Sequence, residues 1–150
     1  MASTLQTQRD QSLGRVLLLL ERHFTNQTLA YLKASGIDDI NLGHFSILPY
    51  VSETGIRATE IAHKSGISKQ AAGKTIEDLK AKGYLTTSPD PRDKRASLVH
   101  LSDKGVQMMK TALKATEDVE KSWDKLNDDV NVQQLKTLCS QLLEGLDGRG

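Results

Sequence analysis

Cysteine occurs once in this chain, at Cys139. An internal disulfide framework is therefore excluded, and the usage fits a reducing cytoplasm. Aromatic residues make up only 4% of the sequence, which leaves Leu, Val, Ile and Ala to build a core. The longest uninterrupted apolar run, Val16 to Leu20, is far short of the roughly 20 residues that span a bilayer. The stretch from Met1 to Asp10 is polar and lacks the apolar segment of a secretory signal. A cytoplasmic protein without membrane association is expected. Catalytic constellations are missing too: no carboxylates are paired in a motif, and no nucleophile stands at a meaningful spacing from a base. The expectation is a non-enzyme with no cofactor.

A net charge of one sign is lacking as well, since the 150 residues sum to +1. The distribution is uneven. From Arg57 to Arg95 nine basic residues stand against five acids, whereas from Glu117 to Asp147 eight acids stand against three lysines. Such asymmetry points to a polyanion-facing middle. A chain of this length is most often one domain, here with arms able to pack against a second copy.

Leu13, Val16, Leu17, Leu20, Phe24 and Tyr31 recur at helical spacing and predict a long first helix ending near Ser35-Gly36. A second helix is expected over Leu42 to Val51, bent or shortened by Pro49, with Glu53-Thr54-Gly55 as its exit turn. Two short helices follow, Ala58 to Lys64 and Lys69 to Lys82, the second stopping at Gly83. Gly66 suits the tight turn between them and Ser68 is a good N-cap, so the pair reads as a helix-turn-helix. Tyr84 to Ser88 and Ala96 to Leu101 then read as strands of a hairpin around Pro89-Asp90-Pro91-Arg92-Asp93-Lys94-Arg95, a long basic tip that the two prolines keep out of the ladder. Ser102 caps another long helix with Val106, Met109, Leu113, Val119, Trp123 and Leu126 at helical spacing. A last helix, Val132 to Leu146, has a wide apolar face.

Gly73-Lys74-Thr75 matches the tail of a phosphate-cradling loop, but the glycine such a loop needs five residues before Gly73 is Ser68, and no strand leads in. A helix that touches the phosphates and bases of DNA uses the same residues better. With Ala72, Ile76 and Leu79 turned inward at i, i+4 and i+7, the outer face carries Lys69, Gln70, Gly73, Lys74 and Glu77. Gln70 can bond adenine with two hydrogen bonds, Lys74 can reach guanine or a phosphate, and Ser68 can donate to a phosphate. Gly73 costs about 1 kcal/mol in a helix interior. It is either a tolerated weak residue or a gap that lets the helix lie deeper against the bases. Glu77 is read as pairing locally with a lysine.

The segment Ala58 to Gly105 resembles the winged-helix core of the multiple-antibiotic-resistance regulator (MarR) family. Its most specific part is Asp90-Pro91-x-Asp93-x-Arg95, followed by Leu101-Ser102-x-x-Gly105. The resemblance implies a mainly α fold with a small β-hairpin wing, a winged helix-turn-helix core, and N- and C-terminal dimerisation helices. The expected divisions are 1–40 for the N-terminal arm, 41–101 for the core and 102–150 for the C-terminal helices. It further implies a homodimer on double-stranded DNA, with Ser68, Gln70 and Lys74 at contact positions and Arg92, Lys94 and Arg95 forming a wing that reaches the minor groove. Asp93 is read as orienting one of those arginines or forming the turn. Three positions depart from the family pattern: Arg57 stands where a Ser or Thr cap commonly opens a helix, Lys94 replaces a frequent Arg, and Gly73 replaces a larger residue.

Family members often bind aromatic effectors between arm and winged helix, and Phe24, His44, Leu48 and Met109 are placed near such a cleft or in plain core. His23, His44, His63 and His100 lie on different elements with no pair at i, i+4, a poor basis for a metal sensor. Cys139 on the last helix reads as inert packing, with a redox switch as the alternative. The expected function is a transcription regulator, a repressor because groove occupancy alone can block polymerase. A winged-helix protein-interaction module is the alternative.

Overall fold

The structure, a computed structural model, describes residues 4–126 and 128–147. Residues 1–3, 127 and 148–150 of the expected arms lie outside it. Two helices, not one, open the chain. Helix α1 (Thr4–Asp10) contributes nothing buried, and Ser12, whose Oγ accepts from the Arg15 N–H at 3.3 Å, caps α2 (Leu13–Ala34). The second expected helix is reduced to one turn, α3 (Leu42–Phe45), followed by a 3₁₀ turn at Leu48–Tyr50. Pro49 sits in that turn, where its missing N–H costs no α-helical bond.

Strand β1 (Ile56–Arg57) leads into α4 (Ala58–Ser65), and Gly66, at φ 68°, takes the left-handed turn that ends it. After the turn comes α5 (Lys69–Ala81), which buries Ala72, Ile76 and Leu79 as expected. Strands β2 (Leu85–Asp90) and β3 (Asp93–Leu101) follow, in a three-stranded antiparallel sheet ordered β1-β3-β2. The two-residue β1 was not foreseen, because its only ladder partner is β3.

The hairpin corrects the expected loop. Its ladder continues through Pro89, which pairs with Ser97, and only Pro91 and Arg92 lie between the strands. Pro89 is tolerated because β2 is an edge strand, where a missing donor can face away from the ladder. Beyond it the register shifts from Pro89↔Ser97 to Asp90↔Asp93, so Lys94, Arg95 and Ala96 form a bulge on β3.

Ser102 caps α6 (Asp103–Trp123), its Oγ accepting from the Gly105 N–H at 3.0 Å. The buried face of α6 is Gly105, Met108, Ala112, Ala115 and Val119, rotated from the expected stripe, so that Leu113 is exposed. Close contact decides this rotation: a Cβ on Gly105 would lie 2.1 Å from the Tyr84 carbonyl oxygen. Helix α6 packs on α2, with Phe24 and Trp123 edge-to-face at 5.5 Å and Trp123 Nε1 donating to Gln27 Oε1 at 2.9 Å. One buried cluster runs from Leu32 and Ile40 through Ile61, Leu79 and Val99 to Met108 and Ala112.

Helix α7 (Val132–Asp147) buries only Val132 among its residues. Leu138 and Leu142 are 54% and 63% exposed. They share an open apolar trough of about 680 Å³ with Leu13 and Leu17 of α2, and Cys139 lies on its wall, half-buried. Among the described residues no helix is long and apolar enough to cross a membrane.

Candidate nucleic-acid interface

The helix-turn-helix is built on local signals. Ser68 caps α5 by accepting from the Ala71 N–H at 3.1 Å, and the burial of Ala72, Ile76 and Leu79 decides which side of α5 faces out. Ser68, Lys69, Gln70 and Lys74 are exposed, and Gly73 is half-buried. Glu77 pairs with Lys80 at 2.9 Å on the same helix, which removes much of its opposition to a phosphate. A Cβ added at Gly73 meets no atom within 4 Å. Nothing among the described residues therefore requires a glycine there.

The wing is organised around Asp90, 1% exposed. Arg57 Nε donates to Asp90 Oδ2 at 2.7 Å, and Arg57 Nη2 lies 2.6 Å from the same oxygen. The other oxygen, Oδ1, accepts from the Arg92 N–H at 2.9 Å, with Arg92 Nε 3.5 Å away. The Arg92 backbone donor, followed by the Arg57 guanidinium, holds the Asp90 carboxyl below the usual carboxylate range against the effect of burial. Its hydrogen bond to Asp90 in turn pushes the Arg57 pKa up. Asp93 Oδ1 accepts from the Arg95 N–H at 3.1 Å, so it acts on the backbone of the turn. Arg92, Lys94 and Arg95 are all exposed. The side chains of Lys69, Gln70, Lys74, Lys94 and Arg95 make no ion pair or hydrogen bond among the described residues, whereas Lys80, Lys82 and Lys104 are paired.

A second feature lies between α2, α3 and α6, an apolar cleft of about 350 Å³. Phe24, Leu48 and Met109 line it, as do Phe45, Thr25 and Thr28. His44 does not. Its ring is buried on another side, with Nε2 2.7 Å from Asp78 Oδ2 on α5 and Nδ1 accepting from the Asn41 N–H at 3.1 Å. The ring is turned toward α5 instead, and only the adjacent Phe45 reaches the cleft.

His100 is engaged by Ser88 Oγ at 2.6 Å and the Glu53 carbonyl at 3.1 Å. Among the described residues no group of three or more His, Cys, Asp or Glu converges as a metal site would require. Sequence reasoning missed the Arg57–Asp90 contact. The unusual cap at Arg57 was its one signal, and residues 33 positions apart carry no local periodicity to link them.

Residues 38–96 match the model of the MarR family. No curated protein matches the chain in sequence. Among solved structures, apo MarR from E. coli superposes with a TM-score of 0.67 at 21% identity, covering 90% of this chain and 97% of that one. The transcriptional regulator Tm0710 from Thermotoga maritima superposes at 0.58 with 25% identity, covering 91% and 94%. The transcriptional repressor CouR bound to a 23-mer DNA duplex superposes at 0.69 with 22% identity, covering 90% and 92%.

Proposed function

We propose that this chain, whose residues 38–96 match the MarR family, represses transcription by binding a near-palindromic DNA site as a homodimer. The observation that carries the reading is the set of exposed side chains without partners among the described residues, Lys69, Gln70 and Lys74 on α5 with Lys94 and Arg95 in the bulge of the wing. Cations that no carboxylate neutralises remain available to phosphates, and their contacts release counterions. In this reading Gln70 and Lys74 meet base edges in the major groove, with Ser68, Lys69 and the backbone at Gly73 against the strand. Arg92, Lys94 and Arg95 enter the adjacent minor groove, where arginine favours A·T-rich sequence. CouR, which shares this fold, is bound to a DNA duplex, and that likeness supports the same use here.

The leucine trough between α2 and α7 supports the dimer, because a small winged helix cannot cover it alone. A second copy would set the two recognition helices about 34 Å apart, one turn of DNA. The cleft lined by Phe24, Leu48 and Met109 suits an aromatic effector in size and polarity. Such a ligand would release DNA only through unequal affinity for the two arm-to-wing geometries.

Selection of bound sites from random duplexes tests the proposal. Two related half-sites and an affinity falling steeply with salt are expected, and Arg92→Ala/Lys94→Ala/Arg95→Ala should reduce the salt slope by roughly 2 to 3. A flat salt response, or unchanged binding by the triple variant, would point to a protein-docking module instead.

A further inference from the structure

We propose that Arg57 is a positioning residue for the wing and sets its preference for A·T pairs, holding Asp90 so that Arg92 stays free for the minor groove. The inference rests on the DNA-binding reading above.

Arg57 occupies the N-cap of α4, a position that favours an acceptor side chain. A guanidinium has no acceptor. The cap is supplied instead by Glu60, whose Oε2 accepts from the Arg57 N–H at 3.3 Å. Capping therefore does not account for the arginine, whereas Asp90 does. The Arg57 backbone is fixed by its pairing with Leu98, at the entrance to the helix-turn-helix. From there its Nε and Nη2 converge on Oδ2 of Asp90, at the base of the wing tip.

At the tip itself, the exposed Asp93 accepts from the Arg95 N–H at 3.1 Å and lies 3.8 Å from Arg57 Nη2, a second and looser contact to the same guanidinium. The β2–β3 ladder loses register between Pro89 and Asp90, directly below the residues that would enter the groove. Beyond that break, Asp90 is the buried anchor, and its two oxygens are divided. One takes Arg57, and the other takes the Arg92 backbone N–H. This division leaves the Arg92 side chain 76% exposed, held to Asp90 Oδ1 only by a long 3.5 Å hydrogen bond from Nε. Without Arg57, a buried carboxylate would have an oxygen to satisfy, and Arg92 is the nearest remaining cation. Drawn inward, Arg92 would leave the minor groove.

The test uses the full chain and duplexes that it selects from a random pool, alongside copies whose A·T pairs flanking the major-groove contacts are replaced by G·C. The wild-type protein is expected to prefer the A·T-flanked duplex. Arg57→Ala should bind that duplex roughly tenfold more weakly, bind the G·C-flanked one almost unchanged, and add nothing further in an Arg92→Ala background. Arg57→Lys, which keeps the charge without the fork, should also narrow the preference and carries the comparison if Arg57→Ala does not fold. Equal losses on both duplexes, additive losses with Arg92→Ala, or full preference retained by both Arg57 variants would overturn the proposal. Failure of the wild-type protein to bind any duplex with salt dependence would instead defeat the DNA-binding reading beneath it.

Discussion

His44 donates from Nε2 to Asp78 Oδ2 across 2.7 Å, tying the one-turn helix α3 to α5. The Asn41 N–H, donated to His44 Nδ1, leaves the ring proton on Nε2. Because Phe45, the next residue, lines the apolar cleft, a single short turn touches both the cleft and the proposed recognition helix. His44→Ala removes a buried ring together with this bond and should lower stability by about 2 kcal/mol or more, read by urea titration.

Gly73→Ala separates folding from binding. A methyl there meets open space, so the variant should be more stable by about 1 kcal/mol. If the helix backbone approaches the bases at this point, the same variant should bind the selected duplex more weakly. A thermal melt and a DNA titration check the two opposite signs, and unchanged affinity would reduce Gly73 to a merely tolerated residue.

The trough between α2 and α7 predicts a dimer held by leucines. Leu138→Glu combined with Leu142→Glu places two charges where a partner's apolar surface should sit. Sedimentation at micromolar concentration should show the mass of two chains for the wild-type protein and of one for the variant. A monomeric wild-type protein at that concentration would reject the pairing.

Acid should loosen the wing base and the α3–α5 tie. Asp90 is held low chiefly by the Arg92 backbone donor and by Arg57, and Asp78 by Lys82 and then His44. A carboxyl whose folded pKa lies below its unfolded value, near 4, adds stability above that pH and loses it as pH falls through the folded value. The contribution of these two groups should thus be complete at neutral pH and decline below about pH 4. Asp90→Asn should start less stable and show a shallower acid decline in melting temperature.

Helices α4 and α5 were legible nearly to the residue, because Gly66, Ser68 and Gly83 punctuate them and Ala72, Ile76 and Leu79 carry an undisturbed period. The outward side of α5, with Lys69, Gln70 and Lys74, followed from the same period. The wing residues were legible as a basic cluster, but their architecture was not. Pro89 argued against a ladder, and only the position of β2 at the sheet edge makes that proline harmless. His44 was expected near the cleft or in plain core; it is buried and bonded to Asp78, a partner 34 positions away that no local pattern marks.

By itself, the sequence determined where α4 and α5 begin and end, which side of α5 is apolar, and where positive charge gathers. These are properties of a few consecutive residues, set by backbone preference and side-chain spacing. Tertiary structure alone decided that α6 turns Gly105 beneath the Tyr84 carbonyl, that β1 exists, and that Arg57 grips Asp90 from 33 positions away. Such contacts depend on how separate elements are brought together, and the geometry of a pair distant in the chain is not encoded in the neighbourhood of either residue.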